Sequence, residues 1–181
     1  MALFEQIINT HSSFLGTLRH SFLDEDRKTA LQNFELKGFP TKKDEEYKYT
    51  NLKEITEKEY NFFPTEEHNI SKEQLDVLHL GEENFDRIVF INGKLHKEFS
   101  KISIGNAEFL SFGYALNDSA HKEAFDQYFN TIANRDLAFT NLNSAYCNFG
   151  FFLRVPKNVV IEKPIHIFYL SQNQNENTFY N

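Results

Sequence analysis

Apolar and polar positions alternate over the first forty residues at the spacing of two α-helices. In the first segment one residue in every three or four falls on a common apolar face: Phe4, Ile7, Ile8, His11, Phe14, Leu15, Leu18 and Phe22. A second helix is predicted from an N-cap at Asp24, with Gly38 just past its end and Arg27, Ala30, Leu31 and Phe34 on its inner face. His11 lies on the first apolar stripe, so we interpret it as a hydrogen-bonded core histidine and not as a ligand.

The middle of the chain changes from helical to strand patterning. A third helix is predicted from Ser71, because Ser71 and Gln74 have the spacing of a capping box and Ile70 and Leu75 that of a hydrophobic staple. Residues 87–91 are apolar and β-branched, and the Asn-Gly pair at 92–93 predicts a hairpin with a return strand over 95–99. Further short strands are expected at 102–104 and 108–112.

Two more helices are predicted before the pattern changes again. Asn117 or Asp118 would cap a helix that carries Ala120, Ala124, Phe125 and Tyr128. The other would begin at about Asn134 and carry Leu137, Ala138, Leu142, Ala145 and Tyr146. Residues 1–147 are therefore predicted to form a helical domain with a small antiparallel sheet, which is an α+β fold.

From residue 148 onward the chain has the pattern of strands. Runs at 149–155, 159–161 and 165–170 are separated by proline-containing turns, and residues 178–181 have the composition of one more strand. Both faces of the run at 165–170 are partly apolar, and strands of this kind need cover on both sides. Residues 148–181 are therefore expected to begin a second, β-rich domain.

Composition and charge exclude several classes of function. The 181 residues include 20 Phe and are 40% hydrophobic, which is enough for a packed core in one or two domains. The formal net charge is −7 and the basic residues are dispersed, so a nucleic-acid partner is not expected. The chain shows neither a membrane-length apolar run nor the pattern of a signal peptide, and we therefore predict a cytoplasmic protein without a membrane partner.

Candidate catalytic groups are few. Cys147 is the single cysteine, and it is open to three interpretations: a catalytic thiolate, a cluster ligand, or a small buried hydrophobe near a helix end. The third is favoured, since no base lies near it in the sequence. Asp44, Glu45 and Glu46 are candidates for acid/base catalysis, but adjacent carboxylates in a charged run are usually hydrated. We therefore expect that the protein is not an enzyme.

Residues 36–52 carry the most distinctive motif of the chain. Gly38 stops a helix, Pro40 keeps Phe39 out of the α region, and a charged run leads to Tyr47, Tyr49 and Thr50. This order resembles the N-terminal signature of the SufD branch of the SufB/SufD family, with Tyr47 where the family usually has Trp. A second stretch, over 139–146, 150–159 and 164–165, resembles the entry to the core of the same family, with Asn158 in the place of a common glycine.

The resemblance implies an architecture and a function. Members of the family have a helical N-terminal domain, a right-handed parallel β-helix and a C-terminal helical domain. This chain would then be an N-terminal fragment with the first coil of the β-helix, and Gly38, Pro40, Tyr47, Tyr49 and Thr50 would be structural anchors. It implies a non-catalytic scaffold subunit of the SufBCD machinery for iron–sulfur cluster assembly, with a SufB-like paralogue and a SufC-like ATPase as partners. The cluster would belong to the full complex, and the fragment would hold no cofactor or metal.

Two further expectations accompany this interpretation. The alternative function is a solenoid-type module that binds a protein or a ligand and has no role in cluster assembly. In addition, the strands over 149–170 are expected to present an unpaired edge through which the fragment self-associates.

Overall fold

The computed structural model describes residues 2–19, 21–63, 70–76, 84–172 and 177–180. Within them lie seven α-helices and five strands. The helices are α1 (Leu3–Thr17), α2 (Asp24–Lys37), α3 (Lys53–Thr56), α4 (Lys72–Asp76), α5 (Phe112–Asn117), α6 (Lys122–Tyr128) and α7 (Ala138–Ala145). The strands are β1 (Asp86–Ile91), β2 (Lys94–Leu95), β3 (Glu108–Ser111), β4 (Phe151–Arg154) and β5 (Ile165–Leu170). This mixture of helices with small sheets confirms the α+β class.

Three helices bury the larger of two apolar clusters. In what we call the helical cluster, α1, α2 and α7 contribute Leu3, Ile7, Phe14, Ala30, Phe34, Leu142 and Ala145, together with Tyr146. The predicted stripe of α1 is confirmed as far as Leu15, but the helix ends at Thr17. Phe22 instead packs against Phe125, with ring centroids 5.3 Å apart. It thereby joins a second set, the phenylalanine cluster, formed by Leu23, Phe112, Ala115, Leu116 and Phe125.

The strands form two small sheets. In the first sheet the order is β2-β1-β5, with β1 and β2 antiparallel across the predicted Asn92–Gly93 turn and β1 and β5 parallel. In the second, β3 pairs with β4 in the antiparallel sense, and Glu108 lies opposite Arg154. Both strands that follow residue 148 therefore pair with strands that precede residue 147. The β-helix and the domain boundary at 147/148 stay predictions.

Several predicted helix ends need correction. The N-cap of α2 is Leu23, and Asp24 is the first helical residue; its carboxylate accepts hydrogen bonds from the backbone N–H and the hydroxyl of Ser21. The last predicted helix begins at Ala138 and not at Asn134, since Asn134 Oδ1 accepts the Asp136 N–H and holds a turn.

At α4 the capping box is confirmed: Ser71 and Gln74 donate to each other's side-chain oxygens from their backbone N–H groups.

Three predicted strands are shorter or replaced by turns. The return strand of the hairpin stops at Leu95, because Ser100 bonds the carbonyl of His96 and folds the chain back. Residues 102–104 form no strand, and the neighbouring Lys101 makes only an isolated bridge to Arg87. Residues 159–161 form none either, since the Val159 N–H donates to the Pro156 carbonyl and Asn158 has a φ of +66°. Helix α5 was not predicted.

Thr178 and Phe179 contact the N-terminal region of the chain. Thr178 forms a parallel bridge with Asn61, and the ring of Phe179 stacks on that of Phe62 with centroids 4.5 Å apart. Asn181, the last residue of the predicted strand, lies outside the described residues. Among the described helices, none has the length and apolar character that crossing a membrane requires.

Candidate functional site

The motif over 36–52 begins by burying one aromatic ring. Gly38 has a φ of +68°, which favours glycine, and its N–H donates to the Phe34 carbonyl at 2.8 Å, so that α2 ends there. This turn directs Phe39 into the helical cluster, where its ring centroid lies 5.1 Å from that of Phe34 and 5.8 Å from that of Phe139. The first part of the motif therefore connects α2 to α7.

A carboxylate then organises the turn that follows. The backbone N–H and the hydroxyl of Thr41 both donate to Asp44 Oδ2, at 2.7 and 3.1 Å. These bonds favour the ionised form and lower the pKa of Asp44. The Tyr47 N–H donates to the Asp44 carbonyl, and the half-buried Tyr47 ring lies 5.8 Å from the Phe139 ring. Tyr47 therefore continues the contact that Phe39 makes with α7.

The end of the motif faces solvent. The Tyr49 side chain is 92% exposed, Thr50 is exposed, and the Lys48 Nζ atom lies 5.6 Å from the centroid of the Tyr49 ring. Gly38, Pro40 and Tyr47 are thus partly buried, whereas Tyr49 and Thr50 are not. The anchoring role of the five residues stays a prediction. Their burial divides them into an inner group, Gly38, Pro40 and Tyr47, and an outer pair, Tyr49 and Thr50.

The candidate acid/base groups lie in water. Asp44, Glu45 and Glu46 are all exposed. A carboxylic acid that donates a proton near neutral pH needs a raised pKa, whereas the Thr41 hydrogen bonds lower that of Asp44. This part of the motif does not provide the environment that general acid catalysis requires.

Cys147 is placed as a packed side chain at the end of α7. Burial raises the pKa of its thiol to about 11, so the thiol remains protonated at neutral pH. A nucleophilic or metal-binding cysteine needs the opposite shift. In the part of the chain that the structure describes, no three His, Cys, Asp or Glu side chains are arranged to hold a metal ion.

Two side chains hold the end of α7 in place. His11 Nε2 donates to the Ala145 carbonyl at 3.0 Å, and burial, with a smaller effect of Arg27, lowers the His11 pKa. The Arg27 guanidinium is 2% exposed and donates to the Cys147 carbonyl from Nε at 2.9 Å and from Nη2 at 2.7 Å. It also donates to Asp24 Oδ1 at 2.9 Å. We call this arrangement of His11, Arg27 and Asp24 the α7 clamp.

The sequence pattern places Arg27 on the inner face of α2 but does not identify its partners. The signal is a charged residue among the apolar positions of that face. Since a buried guanidinium requires acceptors, the signal predicts some partner, but it does not say which one. The clamp fixes where the chain leaves α7 and enters β4.

The strands that follow the clamp are each paired along one edge. Within the described residues, β5 pairs with β1 and β4 pairs with β3, and no strand covers their second edges. Ile167 is 43% exposed and Tyr169 is 71% exposed. The expected unpaired edge is thus present along one side of each strand, while the other side folds back on the N-terminal region. The self-association inferred from it stays a prediction.

Two comparisons with known proteins relate this arrangement to a family. Residues 2–167 match the family model described as the SufBD protein N-terminal region. A protein of Synechocystis sp., described as an iron–sulfur cluster assembly SufBD family protein, is 27% identical to this chain over 166 residues. That alignment covers 92% of this chain and 36% of the relative, so the chain spans little more than a third of the length of the curated relative it matches.

Proposed function

The chain belongs to the SufB/SufD family, and we propose that it is the N-terminal part of a SufD-type, non-catalytic scaffold subunit for iron–sulfur cluster assembly. The observation that carries the proposal is the family match over residues 2–167, which runs from α1 into β5. The description of the Synechocystis relative supports the same process. The motif order over 36–52 supports the SufD branch.

The non-catalytic part of the proposal is supported by the state of the candidate reactive groups. The Cys147 thiol has a raised pKa, and the carboxylates at 44–46 are exposed. We therefore propose that the cluster is cargo of the whole complex and is not held by this part of the chain. Anaerobic reconstitution with iron and sulfide, followed by visible spectroscopy, is the test. A stoichiometric chromophore that is lost in Cys147→Ser would contradict the proposal.

The proposed partners are a SufB-like paralogue and a SufC-like ATPase, which the intact protein would meet in the cytoplasm. The test is to express the whole protein with both partners and to purify the complex through a tag on the ATPase. We expect all three proteins to co-purify. We also expect that cluster delivery to an apo-ferredoxin is lost when the gene for this protein is removed. If the protein stays out of the complex and cluster delivery is unchanged, a solenoid-type binding module outside cluster assembly becomes the better interpretation.

Self-association is proposed through the open edge of β5. Native edge strands are usually protected by charges, but the six residues of β5 include only His166 as an ionisable group besides Tyr169. Sedimentation velocity should show a concentration-dependent dimer that Tyr169→Lys abolishes. Val160→Lys is the matched control, because Val160 is 79% exposed and lies outside the strands. A monomer at all concentrations would overturn this part of the proposal.

A further inference from the structure

A cleft of about 780 Å³ lies between the helical cluster and the phenylalanine cluster. One wall is formed by the end of α1 and the residues that follow it, and the other by α5 and the turn after it. Arg27 of the α7 clamp also lines it. Clefts of roughly 300–1,000 Å³ between packed units are the usual size and place for small-molecule sites.

Four of the polar side chains that line this cleft have no partner among the described residues. Arg19, Tyr114, Ser119 and Asn148 line it, and none of these four side chains has a hydrogen bond or an ion pair to another described residue. Together they offer a guanidinium, two hydroxyl groups and an amide. Because these groups are predominantly donors, the complementary ligand is rich in acceptor oxygens.

The charge of the lining favours an anion in spite of the net charge of the chain. The only acid among the described lining residues is Asp118, and one oxygen of its carboxylate accepts a backbone hydrogen bond. Its Oδ1 accepts the Ala120 N–H at 3.0 Å, and its Oδ2 lies 3.3 Å from His121 Nδ1. No carboxylate of the described residues forms an ion pair with Arg19, and a guanidinium matches the oxygens of a phosphate by paired hydrogen bonds.

The aromatic ring in the cleft adds a second requirement. Tyr114 is 62% exposed on α5, so a flat ring can stack on it. Stacking of a nucleobase on an aromatic side chain stabilises a complex without selecting one base. The Asn148 amide supplies both a donor and an acceptor for the edge of such a base.

From the cleft, its unpartnered donors and its exposed ring, we infer that this chain binds a nucleoside monophosphate, with the phosphate at Arg19 and the base on Tyr114. This inference does not depend on the proposed scaffold role. It assigns binding only, and no group is transferred to or from the ligand.

Isothermal titration calorimetry with AMP, adenosine and inorganic phosphate tests the inference. AMP is expected to saturate one site, and adenosine and phosphate are each expected to bind about tenfold more weakly or worse, since each makes only one of the two contacts. Inorganic phosphate that binds as tightly as AMP would remove the role of the ring, and the inference with it. The absence of saturable AMP binding at several millimolar would overturn it outright.

Variants with matched controls assign the two contacts. Arg19→Ala is expected to weaken AMP about tenfold and to leave adenosine unchanged, and Tyr114→Ala to weaken both and to leave phosphate unchanged. The controls are Arg154→Ala, an exposed arginine outside the cleft, and Tyr128→Ala, which is 66% exposed on α6. Arg19→Gln repeats the test if the alanine variant melts early. Equal losses in test and control variants would contradict the assignment.

Discussion

The helical cluster and the β1–β5 pair bury their apolar residues by different means. In the helical cluster, Ile7 and Phe34 have no exposed surface, and polar groups at the end of α7 are satisfied by the α7 clamp. In the β1–β5 pair, Ile88 and Val89 are equally buried on β1, but the strand beside them leaves Tyr169 mostly exposed. The apolar side chains of the helical cluster are covered by neighbouring parts of this chain. The β1–β5 pair is covered on one side and leaves the other side exposed.

This difference indicates where stability and recognition are each to be sought. Substitutions in the helical cluster should unfold the chain, and substitutions on β5 should change association before they change folding. The family match includes both regions, since it extends from residue 2 into β5.

The largest effect is expected for Phe34→Ala. Phe34 is fully buried and its ring contacts those of Phe4 and Phe39, so its removal leaves a cavity worth about 3–5 kcal/mol of unfolding free energy. Tyr169→Ala on β5 is the comparison, with an expected loss of about 1 kcal/mol or less for a largely exposed residue. Urea denaturation of both variants measures the two values. Equal losses would mean that β5 is as integral to the core as α2.

The second expectation concerns the α7 clamp. Arg27→Ala removes three hydrogen-bond donors, two of which serve the Cys147 carbonyl and one Asp24 Oδ1, so we expect a loss of about 2–3 kcal/mol. Arg135→Ala is the control, because that arginine pairs with Asp26 at 2.7 Å in a half-exposed position where an ion pair contributes about 1 kcal/mol or less. A loss for Arg27→Ala no greater than for Arg135→Ala would show that the clamp does not hold α7.

The sequence predicts local structure better than it predicts these partnerships. The α1 stripe as far as Leu15, the Asn92–Gly93 turn and the Ser71–Gln74 capping box all arise from residues within a few positions of one another, and the structure confirms them. The parallel register that pairs Asp86 with Ile165 joins residues far apart in the chain. Strand composition does not specify which distant strand will be the neighbour.

The candidate site follows the same rule. Gly38 could be placed from the sequence as the end of α2, because a positive φ favours glycine, and its φ of +68° agrees. The contact between the partly buried Phe39 ring and Phe34 was not specified by the motif. Arg27 and Cys147 are 120 residues apart, and the acceptor is a backbone carbonyl, which every residue possesses. The cleft beside Arg19 needs four segments of the chain to be brought together, so no spacing in the sequence marks it.

A smaller effect separates the inner and outer residues of the 36–52 motif. Tyr47→Ala should cost about 1–2 kcal/mol, because the half-buried ring contacts Phe139 on α7, while Tyr49→Ala should cost about 0.5 kcal/mol or less. Denaturant unfolding of the two variants shows whether each tyrosine stabilises the fold or only lies at its surface. If Tyr49→Ala is instead the more damaging change, Tyr49 and not Tyr47 is the anchor of the motif.

The smallest effect should be a dependence of the free energy of unfolding on pH that originates in the α7 clamp. Burial, and to a lesser degree Arg27 and Lys28, lower the pKa of His11 below the 6.5 of an unperturbed histidine. Between the folded and the unfolded pKa, the unfolded chain binds more protons, so the free energy of unfolding rises with pH there. The contribution of neutral His11 is therefore complete above about pH 6.5 and declines as the pH falls below it.

His11→Gln isolates this contribution, since the amide keeps a donor for the Ala145 carbonyl but does not titrate. Urea denaturation at intervals from pH 5 to pH 8 measures the free energy of unfolding of the unchanged chain and of His11→Gln. As the pH falls, the unchanged chain should lose more of this free energy than the variant does. Ile167→Ala on β5 is the control, because it changes a half-exposed residue without removing an ionisable group, and it should show no such trend. A difference that stays constant with pH for His11→Gln would mean that protonation of His11 does not destabilise the end of α7. The contrast between the two regions would then rest on packing alone.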